Sequence, residues 1–166
     1  MVAKPVVHEG APGGFTCSCT ALRKATRRVS QMYDEVLAPS GLKATQRAIL
    51  VEINRSTAAT VGVLAEKLVM DPGALAHTLK PLERNGLIAI TVDPGDRRNR
   101  LIGLTREGKA KLAETDALWS RAQDGFQAAF GKAETRALRQ AMQMLTSDRF
   151  ITDFKKGVEV SSHRQP

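Results

Sequence analysis

The chain has 166 residues, with 25 Lys and Arg against 17 Asp and Glu for a formal net charge of +8, so it suffices for one domain and favours an acidic partner. It contains no apolar run of the roughly 18 residues that a membrane-spanning helix needs, and its N-terminus lacks a signal-peptide core, so a cytoplasmic protein is expected. Two cysteines, three scattered histidines, and the lack of any glycine-rich phosphate loop or nucleophile elbow argue against a disulfide scaffold, a metal-dependent hydrolase and nucleophilic enzymes. No catalytic residue, metal site or cofactor is expected.

Residues 1–15 hold Pro5, Pro12 and three glycines and read as a flexible arm. Thr16 to Leu37 reads as a helix with Leu22, Val29, Met32, Tyr33 and Val36 near one stripe, beside Arg23, Lys24, Arg27 and Arg28. Pro39-Ser-Gly41 breaks it, and Thr45 to Asn54 supplies a short apolar helix. Thr60 is a suitable N-cap for Val61-Gly-Val-Leu-Ala-Glu-Lys-Leu68, where Leu64, Ala65 and Leu68 form a buried stripe and Met70 closes the helix. Asp71 then caps a second helix with Pro72 at its first position, where the missing N–H costs nothing. Leu75, Leu79 and Leu82 share one face, and Asn85-Gly86 ends the helix with residues that accept left-handed geometry. Pro81, inside that helix, removes a backbone bond to His77 and is expected to kink the axis.

The next stretch predicts a β-hairpin. Leu87 to Val92 has the β-branched content of a strand, Leu101 to Leu104 supplies its partner, and Asp93-Pro94-Gly95-Asp96 is a turn because Pro94 fixes φ and Gly95 tolerates positive φ. Arg97, Arg98 and Arg100 are thereby placed on an exposed hairpin, with Asp96 close enough to orient one of them. Arginines on a slim protrusion suit the narrow, negative minor groove of DNA. In isolation the segment reads equally as a solvated loop with surface ion pairs. The preceding helix, tight turn and helix favour the DNA reading, since that order places the second helix in the major groove and the wing beside it. Charge placement rather than net charge carries the argument, because residues 45–105 hold eight basic against six acidic side chains.

After the hairpin, Thr105 to Phe130 reads as one long helix with Leu112, Trp119, Ala122, Phe126 and Ala129 at helical spacings. Gly125 weakens its middle by roughly 1 kcal/mol relative to Ala. Lys132 to Ser147 offers a last helix with Leu138, Met142 and Leu145, residues from about 156 onward read as frayed, and 151–166 are assigned as a C-terminal tail. The fold class expected is mainly α with a small β-hairpin wing, a winged helix-turn-helix over 45–104 and a helical dimerisation region over 16–44 and 105–150. The outer apolar stripes exceed what one winged core buries, so pairing with a second copy is expected, with a larger monomeric helical core as the alternative.

Three blocks carry a resemblance to a known family: Val61 to Leu68, Leu82-Glu-Arg-Asn-Gly-Leu-Ile88, and Asp93-Pro-Gly-Asp-Arg-Arg followed by Leu104-Thr-Arg-Glu-Gly108. In this order and spacing the chain, from about Cys17 to about Leu145, resembles the MarR family of winged helix-turn-helix transcriptional regulators. The resemblance implies a homodimer on pseudo-palindromic double-stranded DNA, commonly a repressor, released by a small molecule or an oxidant. It also implies that Arg98, with Arg97 as runner-up, enters the minor groove and that Asp96 fixes its side chain. The early turns of the second helix depart from the family pattern, because Gly73-Ala-Leu-Ala-His-Thr78 replaces most hydroxyls and the arginine by small apolar groups. Gly73 and Ala74 permit close backbone approach, and lean base readout is expected from His77, Thr78 and Lys80 with the wing arginines. The alternative for His77 is a buried structural role.

The resemblance further implies an effector site in the crevice between the winged region and the helical platform for a small aromatic or acyl molecule, and helix placement makes Met32, Tyr33 and Trp119 its candidates. Cys17 and Cys19 at the start of the first helix point roughly 200° apart, too far for an intrachain bridge without unwinding that turn. Arg23 lies one turn from Cys19, and some MarR relatives sense oxidants through a cysteine near this position. Incidental thiols are the alternative. Two other readings stay open: a thiol-based redox switch using Cys17 and Cys19, and a winged module whose acidic partner is a protein.

Overall fold

The computed structural model describes residues 17–162, with side chains through residue 160. The arm assigned to residues 1–15 lies outside the described residues. In chain order come α1 (Ser18–Leu37), a 3-10 turn (Ala38–Ser40), α2 (Ala44–Arg55), α3 (Val61–Leu68), α4 (Pro72–Arg84), β1 (Ile88–Val92), β2 (Arg100–Leu104), α5 (Arg106–Phe130), α6 (Lys132–Leu145) and α7 (Asp148–Ser162). The fold is mainly helical with one antiparallel hairpin, in which Ile88 faces Leu104 and Val92 faces Arg100. Among the described residues no helix is long and apolar enough to cross a membrane.

Short side chains set the element ends. The Ser40 hydroxyl donates to the Leu37 carbonyl and accepts the Leu42 N–H, while Gly41 turns the chain at φ 73°. Asp34 then accepts the Ala44 N–H at 2.7 Å, tying α1 to the start of α2. Thr60 and Asp71 cap α3 and α4 by accepting the Val63 and Ala74 N–H groups, at 3.2 and 2.9 Å. Between those helices the residue that stops α3 is Val69 rather than Met70, at φ 50° and ψ 46°. A β-branched residue in the left-handed region costs roughly 1–2 kcal/mol, and the tight turn into α4 imposes it. Helix α4 continues through Pro81 to Arg84, and Gly86 at φ 69° closes it while the Leu87 N–H reaches the Leu82 carbonyl at 2.9 Å.

One core dominates, and it belongs to the winged part. Ile49 and Leu50 of α2, Leu64 of α3, Leu75 and Leu82 of α4 and Ile102 of β2 are buried in one cluster. Each such side chain contributes about 1.5–3 kcal/mol. The outer helices differ. On α1, α5, α6 and α7 the buried apolar residues are Tyr33, Leu37 and Ala122, whereas Met32, Phe130, Met142, Phe150 and Phe154 stay exposed.

The C-terminal segment corrects the expectation of a frayed tail. Residues 148–162 form α7, started by the Ser147 hydroxyl, which accepts the Phe150 N–H, and by Asp148 in the first turn. Phe150, Phe154 and Val158 recur every four residues along it, a helical apolar stripe that the polar neighbours mask in a composition count.

Candidate nucleic-acid interface

The wing is built from carboxylate-to-backbone bonds. Asp93 accepts the Gly95 N–H at 2.8 Å, and the Asp93 N–H donates to Asn99 across the hairpin neck. Gly95 is absent from the positive-φ glycines, so the Asp93 side chain, not left-handed backbone, makes the first bend. Asp96 uses one oxygen for the Arg98 N–H at 3.0 Å and the other for the Asn99 side-chain amide at 3.2 Å. It therefore shapes the backbone at Arg98 rather than holding the guanidinium, because both oxygens face the turn. Arg97 and Arg98 are exposed on that turn. Arg100 is exposed as well but opens β2, and its guanidinium donates to the Arg97 carbonyl at 3.3 Å.

Helix α4 presents a small-residue face beside three buried leucines. Gly73, Ala74, His77 and Lys80 are exposed, so His77 is not a core residue. Thr78 is half-buried, and its hydroxyl donates to the Ala74 carbonyl at 2.9 Å. Its proton is thus engaged within the helix, which leaves only acceptor capacity for a base edge. A Cβ on Gly73 would stand 3.1 Å from the Asp71 cap oxygen, so glycine there keeps the first turn open.

The proposed effector residues divide between two places. Met32, Tyr33 and Val36 of α1 meet Ala122, Phe126 and Phe130 of α5 around an apolar cleft of about 350 Å³, with Arg121 at its edge. Trp119 lies about two helical turns, roughly 10 Å, before Phe126 on α5. It packs edge-on against Tyr33, with centroids 5.1 Å apart, and lines a different recess with Arg47, Arg55 and Asp116 of α2 and α5. Burial raises the Tyr33 phenol above its ordinary pKa, with the charge of Arg139 opposing that shift. Cys17 and Cys19 are both free and exposed. Hydrogen bonds from the Thr20 side chain, and then its backbone, hold the Cys17 thiol below its ordinary pKa.

The MarR family pattern matches residues 42–99, from just before α2 to the wing residue that precedes β2. The transcriptional regulator MOSR of M. tuberculosis, solved in complex with DNA, is 32% identical with a TM-score of 0.71, covering 78% of this chain and 93% of that one. The chain belongs to the MarR family. The transcriptional repressor CouR, bound to a 23-mer DNA duplex, is 26% identical with a TM-score of 0.72 over 79% of this chain and 93% of its own. The HTH-type transcriptional regulator SarZ of Staphylococcus epidermidis is 29% identical over 91 residues, which is 55% of this chain and 62% of SarZ. These relatives are transcriptional regulators.

Two further features of this MarR-family chain escaped the sequence reading. At the wing exit, Thr105 donates its hydroxyl to the Gly86 carbonyl at 2.6 Å and accepts the Gly108 N–H at 2.9 Å. The Thr105 N–H meanwhile donates to Leu87, and Gly108 is buried against that residue's backbone. The end of α4 is therefore locked to the start of α5. The second feature is Arg47, 8% exposed on α2. Its charge concealed it, yet it falls three residues before Leu50 and six before Ile53, on the buried stripe of that helix.

Proposed function

We propose that the chain is a homodimeric, sequence-specific DNA-binding transcriptional regulator acting in the cytoplasm, a repressor of pseudo-palindromic operators that a small aromatic or acyl molecule releases. The observation that carries this reading is the pairing of an exposed small-residue face on α4 with a wing whose Arg97, Arg98 and Arg100 are all exposed. Two relatives of the same fold were solved on DNA. With few side chains available for base edges, affinity leans on phosphate contacts and groove shape. Titrating the duplex upstream of the protein's own coding sequence against salt tests this, with roughly −0.9 in the log–log slope expected per neutralised phosphate. His77→Ala is expected to relax preference at one base pair per half-site more than it weakens binding. Equal affinity for a scrambled duplex refutes the reading and favours a winged module that binds protein.

The dimer follows from the exposed apolar side chains of α6 and α7, among them Met142, Phe150 and Phe154. Removing everything after Gly131 is expected to yield a monomer by sedimentation equilibrium and to abolish operator binding, since one reading helix alone loses the second half-site. The α1/α5 cleft, apolar with Arg121 at its edge, suits an aromatic or acyl anion. A thermal-shift screen of aromatic acids and acyl thioesters tests it, with Met32→Trp expected to abolish any shift.

A second reading rests on the Cys17 thiol, which Thr20 holds in an acidified state on an exposed helix start. There an oxidant, rather than a ligand, releases DNA. Oxidant-dependent release lost in Cys17→Ser or Cys19→Ser supports this reading, and unchanged release in both removes it.

A further inference from the structure

We propose that Arg47 is a positioning residue that sets the angle between the DNA-reading lobe and the outer helices, and hence the half-site spacing the protein accepts. The inference rests on the regulator reading above. Arg47 is the one buried charged residue among the described residues. Its Nε–H donates to the Thr115 hydroxyl at 3.0 Å and an Nη2–H to Asp116 at 2.6 Å. Its guanidinium carbon stands 4.5 Å from the centroid of the Trp119 ring. All three partners belong to α5, whereas Arg47 belongs to α2 and the winged core.

Burying a guanidinium is costly unless its hydrogen bonds are met, and an apolar side chain of similar length fills such a site at no electrostatic cost. What the apolar side chain lacks is direction. A planar fork bonded to two groups and stacked on a ring fixes both the separation and the rotation of two helices. Thr115 is itself locked, fully buried with its hydroxyl donating to the Leu112 carbonyl at 2.6 Å, so the acceptor that Arg47 meets cannot swing away.

Besides the apolar contact of Leu112 with the winged core, two separated polar ties join the lobe to α5. The Thr105–Gly108 junction holds the end of α4 at the start of the helix, and Arg47 holds α2 about ten residues, roughly 15 Å, further along. A body attached at one point pivots, whereas two points fix its tilt. Trp119 also packs on Tyr33 of α1, so the same stack reaches the wall of the apolar cleft.

Spacing is the readout because each base pair inserted between half-sites displaces one of them by about 3.4 Å and rotates it by about 34°. The full-length protein selects its preferred duplex from a randomised pool, and that duplex is rebuilt with one or two base pairs added or removed at its centre. Wild type is expected to lose roughly tenfold per single step, and Arg47→Met under about threefold, while both bind an isolated half-site within about twofold of each other. Asp116→Asn, altering a side chain that is 66% exposed, keeps the fold and is expected to flatten the profile partway. Lys67→Met, which removes an ion pair to Glu52 inside the lobe, leaves the profile unchanged. A wild-type profile in Arg47→Met overturns the proposal, as does parallel loss of half-site binding, which marks Arg47 as a support of lobe folding alone. Should Arg47→Met fail to fold, a wild-type profile in Asp116→Asn overturns it. A wild-type protein that selects no duplex overturns the regulator reading and this inference with it, a result distinct from an unaltered profile in the variants.

Discussion

Replacing Gly108 by alanine tests the junction that carries the hairpin into α5. A Cβ there overlaps the Leu87 carbonyl oxygen, well inside the 3.0 Å below which neighbours must shift. That oxygen cannot retreat alone, because it accepts the Thr105 N–H at 3.1 Å. Moving it also stretches the Thr105 bond to Gly86 and the cap on the Gly108 N–H. Losing one or two of these bonds costs about 1 kcal/mol each, residual crowding about 1–3 kcal/mol, and the helix gains about 1 kcal/mol from alanine. The net loss is about 1–4 kcal/mol, which at about 2–4 °C per kcal/mol lowers Tm by at least about 2 °C and by roughly 5–10 °C at mid-range. Gly125 in the same helix is the internal control, with nothing within 4 Å of an added Cβ. Gly125→Ala is expected to gain about 1 kcal/mol and to raise Tm by about 2–4 °C. Calorimetric melts at matched protein concentration read both variants, since any dimer makes Tm concentration-dependent. A Gly108→Ala protein melting within about 2 °C of wild type refutes the argument.

Other expectations follow from single sites. Arg98→Ala is expected to weaken operator binding by about tenfold or more with Tm nearly unchanged, whereas Asp96→Ala lowers both, since it releases the Arg98 N–H and the Asn99 amide. Operator titrations paired with melts separate the two, and an Arg98→Ala affinity within about threefold of wild type dismisses the minor-groove role. Val69→Gly relieves left-handed strain at a side chain that is 72% exposed, so stability should rise by about 0.5–1 kcal/mol after the entropy cost of glycine. A lowered denaturation midpoint in urea contradicts that. Burial raises the Tyr33 phenol, so the contribution of its neutral form is complete below the unfolded value of about 10 and is lost as pH climbs through the higher folded value. Alkaline unfolding curves of wild type and Tyr33→Phe check it, and identical slopes count against it.

Periodicity and caps made the reading lobe legible. Thr60, Asp71-Pro72 and Asn85-Gly86 bound α3 and α4 where predicted, because capping acts within four residues of chain and needs no partner from elsewhere. The two strands of the hairpin were legible from their β-branched residues and the Asp93–Asp96 turn, whereas their register, Ile88 opposite Leu104, came only from the structure. Asp96 was placed correctly but given the wrong partner, since sequence spacing does not distinguish a carboxylate facing a guanidinium from one facing the next amide. Helix α7 was missed because α6 and α7 are joined at Thr146–Ser147, whose hydroxyls bond to the preceding turn and restart the helix, a break that composition reads as fraying.

The sequence by itself determined the order of helices, turn and wing, the exposed arginines of that wing, and the family to which the chain belongs. Only the tertiary structure decided what faces the outer helices. Residues 69 apart had to meet before Arg47 became a bridge to Asp116, and other segments distant in the chain had to pack before Gly108 was pressed against Leu87 and Trp119 parted from the cleft that holds Met32 and Tyr33. Local rules act through bonds between near neighbours in the chain, whereas burial of a charge and the cost of one methyl group depend on which distant surfaces pack together.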